Sequence, residues 1–426
     1  MKRFLLLALP VALLFARLAS AAYGDEPRPN VLLIFTDDQG WADLGVQGAV
    51  GFSTPNLDRL ASEGTRLTSF YVAMPVCTPS RAGLLTGRHP MRLDLGRRVL
   101  FPFSNLGLAP DEETLAESLR NAGHATAIFG KWHLGHLPEY LPTRQGFDRF
   151  FGIPYSNDMD GHHYRDHNFK APPLPLYSDE EVIEEAPSQA AFTRRFTDAA
   201  IEFIEENAAR PWFAYLPHPM PHQPIHASEP FVGRTEAGLY GDVIEELDHH
   251  VGRLLDTLDR LSLAERTIVI FASDNGPWRR ESAGPLRGKK NTTWEGGFRV
   301  PSLWRWPGQI PANRVSDAPI TALDVMPTLE AFCDFVPNAR RLLDGRDVSG
   351  FLRGGPAPAP DPFPFYREGK LQAVREGRFK LRLGSPPQLF DLIADRGETT
   401  DVAADHPEIV AELSTRAAAF RADLGG

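Results

Sequence analysis

Asn30-Val31-Leu32-Leu33-Ile34-Phe35-Thr36-Asp37-Asp38 is apolar at every position from Val31 to Phe35, then ends in a threonine and two acids. An unbroken apolar run of this length reads as a strand buried on both faces, as in a parallel sheet covered by helices. Ligands of such sheets bind beyond the carboxyl ends of the strands, where Asp37 and Asp38 stand. Further strands are predicted at residues 125–129, 212–216 and 267–272, and the last of these leads into Asp274-Asn275. Helical periodicity separates them at 113–121, 190–207 and 240–261, and Thr54-Pro55 reads as a capped helix start. Strands alternating with helices give an α/β core with a mostly parallel central sheet flanked by helices.

The pattern changes near residue 340. Gly354-Gly355-Pro356-Ala357-Pro358-Ala359-Pro360 is a proline-rich loop. Beyond it, the alternating segments 371–375 and 379–383 flank Glu376-Gly377-Arg378 and read as a hairpin of a small antiparallel sheet. A terminal helix is predicted from Pro407 to Phe420. The partition is therefore a large α/β domain over 22–340 and a small α+β C-terminal domain over 341–426.

Residues 1–21 stand apart. Met1-Lys2-Arg3 is basic, residues 4–18 are apolar except Arg17, and Ala19-Ser20-Ala21 offers a cleavage site for a signal peptidase. A membrane anchor is the alternative, but the run is shorter than the roughly 20 residues a spanning helix needs. The expectation is an exported chain, periplasmic, secreted or lumenal, without stable membrane insertion. Loss of Lys2, Arg3 and Arg17 takes the formal charge from -10 to -13. Such acidity argues against nucleic acid and anionic membranes as partners. Any positive charge that receives an anionic substrate must be local.

Two cysteines occur in 426 residues. Cys333 lies in an apolar stretch and reads as a buried small hydrophobe. Cys77 opens Cys77-Thr78-Pro79-Ser80-Arg81-Ala82-Gly83-Leu84-Leu85-Thr86-Gly87-Arg88, in which Pro79 and Ser80 suit a helix start. Cys77 then sits just ahead of a helix N-terminus, which favours an anion, with Arg81 near the same spot. The residues alone leave two readings: a built anion site, or an ordinary helix start with a free thiol. Asp37-Asp38 and Asp274-Asn275 are likewise either solvated turns or, taken together, an oxygen-only set suited to a hard cation such as calcium or magnesium.

The Cys77 segment resembles the signature of the formylglycine-dependent sulfatases, of the alkaline phosphatase-like superfamily. The resemblance continues in Thr36-Asp37-Asp38-Gln39-Gly40, Gly130-Lys131-Trp132-His133, Pro221-His222-Gln223-Pro224, Ser273-Asp274-Asn275-Gly276 and Lys290 with Thr292-Thr293-Trp294-Glu295-Gly296-Gly297. Phe151-Gly152-Ile153-Pro154-Tyr155-Ser156 resembles the arylsulfatase A-like branch. The family relation implies that a maturation enzyme oxidises Cys77 to Cα-formylglycine, whose hydrate attacks sulfur. It implies calcium, ahead of magnesium, bound by Asp37, Asp38, Asp274, Asn275 and modified Cys77. Arg81 would steady that side of the site, while Lys131 and Lys290 would hold sulfate oxygens. Lys290 and His222 would lie near the leaving oxygen, His133 would act as the releasing base, and Ser156 would orient His133 or the substrate.

The expected substrate is a sulfated saccharide, lipid or aryl ester. A phosphate or phosphonate monoester hydrolase of the same superfamily is the nearest rival, and a non-catalytic sulfated-glycan-binding protein the more distant one. Specificity is expected from residues 157–170, with the His162-His163-Tyr164 cluster, and from the C-terminal domain. Trp278, Arg279 and Arg280 either contact a sugar or cap a surface loop. Asn291-Thr292-Thr293 is a nominal glycosylation sequon beside Lys290, where a glycan would block the pocket, and is read as a chance match.

Overall fold

The computed structural model describes residues 28–161, 171–335 and 341–426. The expected signal peptide and the His162-His163-Tyr164 cluster lie outside the described residues. The opening apolar run forms strand β1 (Asn30–Thr36), with all seven residues buried. Val31, Leu33 and Phe35 belong to one hydrophobic core, and Leu32 and Ile34 to a second. The strand is thus a wall between two cores, which explains why its sequence shows no polar face.

The remaining strands of this sheet are β2 (Thr65–Tyr71), β3 (Ala125–Lys131), β4 (Arg149–Ile153), β5 (Pro175–Ser178), β6 (Glu181–Glu185), β7 (Trp212–Pro217), β8 (Thr267–Ser273), β9 (Arg299–Arg305), β10 (Arg314–Ser316) and β11 (Ile320–Thr321). Their order is β10-β2-β9-β8-β1-β7-β3-β4-β5-β6, with β11 beside β2. The central run β8-β1-β7-β3-β4 is parallel. Strand β9 runs antiparallel to both β8 and β2, and β5 and β6 are antiparallel additions at the other edge.

Helices α1 (Pro55–Ser62), α2 (Cys77–Thr86), α3 (Leu115–Asn121), α4 (Phe192–Glu206), α5 (Leu239–Arg260) and α6 (Val325–Cys333) cover the two faces. Helices α1, α4 and α5 pack in the Leu32 core, and α2, α3 and α6 in the Val31 core. Helix α3 starts two residues later than its periodicity suggests. Thr114 and Glu117 cap each other's backbone N–H groups there, which fixes the first turn. The mostly parallel, helix-flanked sheet agrees with the sequence reading.

The expected hairpin is also present, within a four-stranded antiparallel sheet of β12 (Phe363–Arg367), β13 (Lys370–Glu376), β14 (Phe379–Arg382) and β15 (Gln388–Asp391). Helix α7 (Pro407–Leu424) contributes Leu413 and Ala417 to the core of this sheet, against Leu371, Val374, Leu381 and Leu389. Phe363, Phe365 and Ala373 instead join the Val31 core. The small sheet is therefore bonded to the large one by shared apolar burial. Val348, Phe351 and Leu352 also lie in that larger core. Among the described residues, no helix is long and apolar enough to cross a membrane.

Candidate active site

Strands β1 and β8 are parallel neighbours with Thr36 opposite Ser273. The residues that follow, Asp37 and Asp274, therefore leave the sheet side by side. Asp37, Asp38, Asp274 and Asn275 are all at most 1% exposed. Asp38 adopts φ 62°, a left-handed conformation that aspartate tolerates. Its N–H donates to Asp274 Oδ1 at 3.1 Å, and Asn275 Nδ2 donates to Asp38 Oδ1 at 2.6 Å. The two acidic motifs, more than 230 residues apart, thus form one cluster.

Cys77 is the first residue of α2, with Val76 as its cap. This corrects the expected start at Pro79-Ser80, since the helix begins earlier. Pro79 occupies the first turn, where backbone N–H groups have no intrahelical partner and proline costs little. The first helical bond runs from Ser80 N to Val76 O at 3.1 Å. All ten residues of α2 are buried. Burial pushes the Cys77 thiol up, against the opposing pull of Lys131 and Lys290. An unmodified thiol there stays protonated at neutral pH and is a poor nucleophile.

Three cations close on the acids. Arg81, one turn beyond Cys77, places Nε and Nη2 at 3.1 and 2.8 Å from Asp274 Oδ2. Its Nη2 also lies 3.4 Å from Asp37 Oδ2, and its Nη1 donates to Lys131 O at 3.0 Å. Lys131, the last residue of β3, sets Nζ 2.5 Å from Asp37 Oδ2 and 3.0 Å from Ser156 Oγ. Lys290 Nζ sits 2.7 Å from Asp38 Oδ1. Burial alone would raise Asp37, but Lys131, His222, Arg81 and Lys290 hold it well below the usual carboxylate range. Burial and the adjacent Asp37 charge raise Asp274 to about 7. Burial opposes the charge on Lys290, yet Asp38 and Cys77 outweigh it and keep the ammonium protonated.

The residues present fit a hard divalent cation. Asp37 Oδ1 and Asn275 Oδ1 are buried without a hydrogen-bond partner, a costly state that a bound cation relieves. Donor atoms of Asp37, Asp38 and His222 lie within 4.8 Å of one another. His222, read from the sequence only as a leaving-group residue, therefore also comes within reach of a cation. Its Nε2 is 3.7 Å from Asp38 Oδ2, while Nδ1 is 2.6 Å from Gln223 O. A carbonyl only accepts, so Nδ1 carries the hydrogen and neutral Nε2 offers a lone pair. Asp274 Oδ2 accepts two N–H groups of Arg81, whereas Oδ1 accepts only the Asp38 amide and keeps a second lone pair for a cation.

The same logic fixes His133. Its Nε2 is 2.9 Å from Leu100 O, so Nε2 carries the hydrogen and Nδ1 is bare. That Nδ1 is buried without a partner. Burial, then Lys131, hold His133 well below its ordinary pKa, so the ring stays neutral. The backbone there is strained, with φ 61°, and the His133 carbonyl accepts from Thr78 Oγ1 at 3.1 Å. Neither ring nitrogen of His133 bonds to Ser156. The Ser156 hydroxyl accepts from Lys131, because β4 pairs with β3 and ends beside Lys131.

Some residues around the site had no role in the sequence reading. Both amide atoms of Gln39 are buried and unpartnered next to Asp38, and its place inside the first acidic motif was the available signal. Arg279 lies over the Tyr240 ring, 4.9 Å from its centre. In the nominal sequon, Asn291 Oδ1 accepts from Arg367 Nε at 3.2 Å, so the amide is already engaged. Cys77 and Cys333 are both free and buried.

The sequence profile of the Sulfatase family matches residues 29–332. An N-acetylgalactosamine-6-sulfatase from Canis lupus familiaris is 39% identical over 384 residues, which is 84% of this chain and 72% of that protein. Arylsulfatase A from Homo sapiens is 37% identical over 468 residues, covering 96% and 89% of the two chains. The crystal structure of PsFucS1 sulfatase from Pseudoalteromonas sp. superposes with a TM-score of 0.85 at 27% identity, covering 96% of this chain and 93% of that one. Fold, acid cluster and relatives agree: the chain belongs to the sulfatase family, within the alkaline phosphatase-like superfamily. It is an enzyme, a sulfuric ester hydrolase.

Proposed function

We propose that this enzyme cleaves sulfate monoesters with residue 77 in its formylglycine form and Ca2+ held by Asp37, Asp38, Asp274, Asn275 and modified residue 77. The observation that supports this most is the meeting of two features. Orphaned acid and amide oxygens lie among two buried cations, Arg81 and Lys131, and the partly buried Lys290, and the Cys77 thiol beside them is held in its unreactive form. When present, the cation supplies a Lewis acid, and the hydrated aldehyde supplies one oxygen for attack and another for product release.

The chain's own groups have distinct tasks. Lys131 and Lys290 turn from Asp37 and Asp38 to the sulfate oxygens, offsetting repulsion between a nucleophile and an anionic ester. Arg81 keeps its grip on Asp274 and fixes the acidic wall. Lys290, held protonated by its surroundings, gives a proton to the leaving oxygen, with His222 beside it. The bare Nδ1 of His133 takes the proton that must be lost when sulfate is released. Ser156 positions Lys131.

The substrate is a sulfated molecule, and the similarity to an N-acetylgalactosamine-6-sulfatase supports a saccharide. The proposal includes export after removal of residues 1–21, a catalytic domain over 22–340, a smaller domain over 341–426 and a formylglycine-generating maturation enzyme. Matured protein assayed in parallel on an aryl sulfate and an aryl phosphate tests the reaction. Faster turnover of the sulfate is expected, and turnover of the phosphate alone would contradict it.

A further inference from the structure

Beside the reacting centre lies a cleft of about 240 Å³ with a charge unlike that of the chain. Val76 and Asn291 line it, and these are the immediate chain neighbours of Cys77 and Lys290. Asn291 N donates to Pro75 O at 2.8 Å, so the two active-site segments meet at its wall. Arg97, Arg98, Arg367 and Glu368 also line it. Arg367 is 3.3 Å from Glu368, which accounts for the one carboxylate in the lining. Arg97 and Arg98 are exposed and have no ion-pair partner among the described residues.

Two adjacent guanidiniums without ion-pair partners on one cleft make it locally positive in a chain of net charge -10. One of them is also seated. Gly369, at φ 76°, passes so close that an added Cβ would meet Arg97 Cγ at 2.8 Å. The absent side chain makes room for the Arg97 stem up to Nε. Val99 and Phe101, both partly buried, supply an apolar wall of the same cleft. Free guanidiniums beside an apolar wall match a sugar ring bearing an anionic substituent.

We infer that this cleft binds a second anionic group of the substrate, on the sugar next to the one whose sulfate is cleaved. The inference rests on the reading of Cys77 and Lys290 as the reacting centre, and it narrows the substrate to a multiply charged saccharide. The second group is a uronate carboxylate or a further sulfate, which share the charge and oxygen acceptors that guanidinium recognises.

The test uses matured full-length enzyme and four substrates: an aryl monosulfate, a neutral disaccharide monosulfate, and the same disaccharide with either a uronate or a second sulfate on the neighbouring sugar. At low salt, kcat/KM for at least one doubly charged disaccharide should exceed that for the neutral one by about tenfold or more. The gain should lie mainly in KM and shrink as salt rises. Arg97→Ala/Arg98→Ala should erase the preference, whereas Arg120→Ala/Arg210→Ala, on exposed residues outside the cleft, should keep it. Equal kcat/KM on neutral and doubly charged disaccharides would overturn the inference, as would a preference that survives in Arg97→Ala/Arg98→Ala. Failure of wild-type enzyme on all four sulfates would instead overturn the proposed reaction. Which doubly charged disaccharide is favoured identifies the anion.

Discussion

Cys77 and His218 show how differently two buried titratable side chains behave. Cys77 faces Lys131 and Lys290, so replacement by alanine removes the proposed attacking group and little packing. Cys77→Ala should lower turnover of an aryl sulfate by about a thousandfold or more and leave the thermal midpoint within a few degrees of wild type. Retained activity would refute the assignment. His218, by contrast, has an unpartnered Nδ1, and burial with the neighbouring His250 lowers its pKa to about 3. A folded value below the unfolded one means that stability is complete above about pH 6.5. It is lost as pH falls toward 3, because only the unfolded chain takes up the proton. Between pH 6.5 and 5 this amounts to at most about 2 kcal/mol. His218→Gln should cut the stability change between pH 7 and pH 5 by up to that amount, read from urea denaturation at both values. An identical change in both proteins would contradict it. At this scale the sequence was informative where chemistry and position coincide, as in acids that directly follow apolar strands. It could not show that His222 meets Asp38, because that contact joins residues 184 positions apart only through the packed fold.

Strand β14 carries a feature its alternating pattern concealed. Phe379 and Leu381 alternate with Lys380 and Arg382, which reads as one apolar and one solvated face. Lys380 is nevertheless fully buried. Its Nζ lies 3.0 Å from Glu295 Oε1 and 3.0 Å from Glu398 Oε1, because the small sheet is covered on both faces. Glu398 Oε2 accepts from Glu295 N at 2.7 Å. Glu295 ends the Thr292-Thr293-Trp294-Glu295 segment that follows Lys290, so the small sheet anchors the turn that presents Lys290. Lys380→Met leaves the buried Glu398 carboxylate without its ion-pair partner and takes one of two cations from Glu295, which keeps Arg299 and Tyr71. The substitution should cost about 3 kcal/mol of stability. Adding Glu295→Gln and Glu398→Gln should recover a large part, measured by denaturant unfolding. If Lys380→Met alone left the midpoint unchanged, the anchor would be dismissed. The hairpin itself was legible from its alternation and its Glu376-Gly377-Arg378 turn. Its ionic bond to the active-site loop was not, since no local pattern marks a lysine with two distant carboxylate partners.

Across the whole molecule, the parallel strands gather acids from two ends of the chain into one buried cluster. Apo protein offsets the acids with Lys131, Arg81 and Lys290, so removing a cation should leave a folded but inactive enzyme. A chelator should abolish aryl sulfate hydrolysis, and Ca2+ should restore it better than Mg2+. Ligand linkage predicts that the thermal midpoint climbs with Ca2+, by about 2.7 kcal/mol of stability at a hundred times Kd. A midpoint and activity indifferent to chelation would remove the cation from the scheme. The α/β plan was readable because apolar runs and helical periods repeat along the chain. The antiparallel entry of β9 between β8 and β2 was not, since pairing direction leaves no mark on a fully buried strand. The most direct test is the mass of the peptide containing residue 77, taken from enzyme produced with a formylglycine-generating partner and from enzyme produced without one. The expected result is a residue about 18 Da lighter than cysteine, with specific activity proportional to the converted fraction. An intact cysteine at position 77 in fully active enzyme would contradict it.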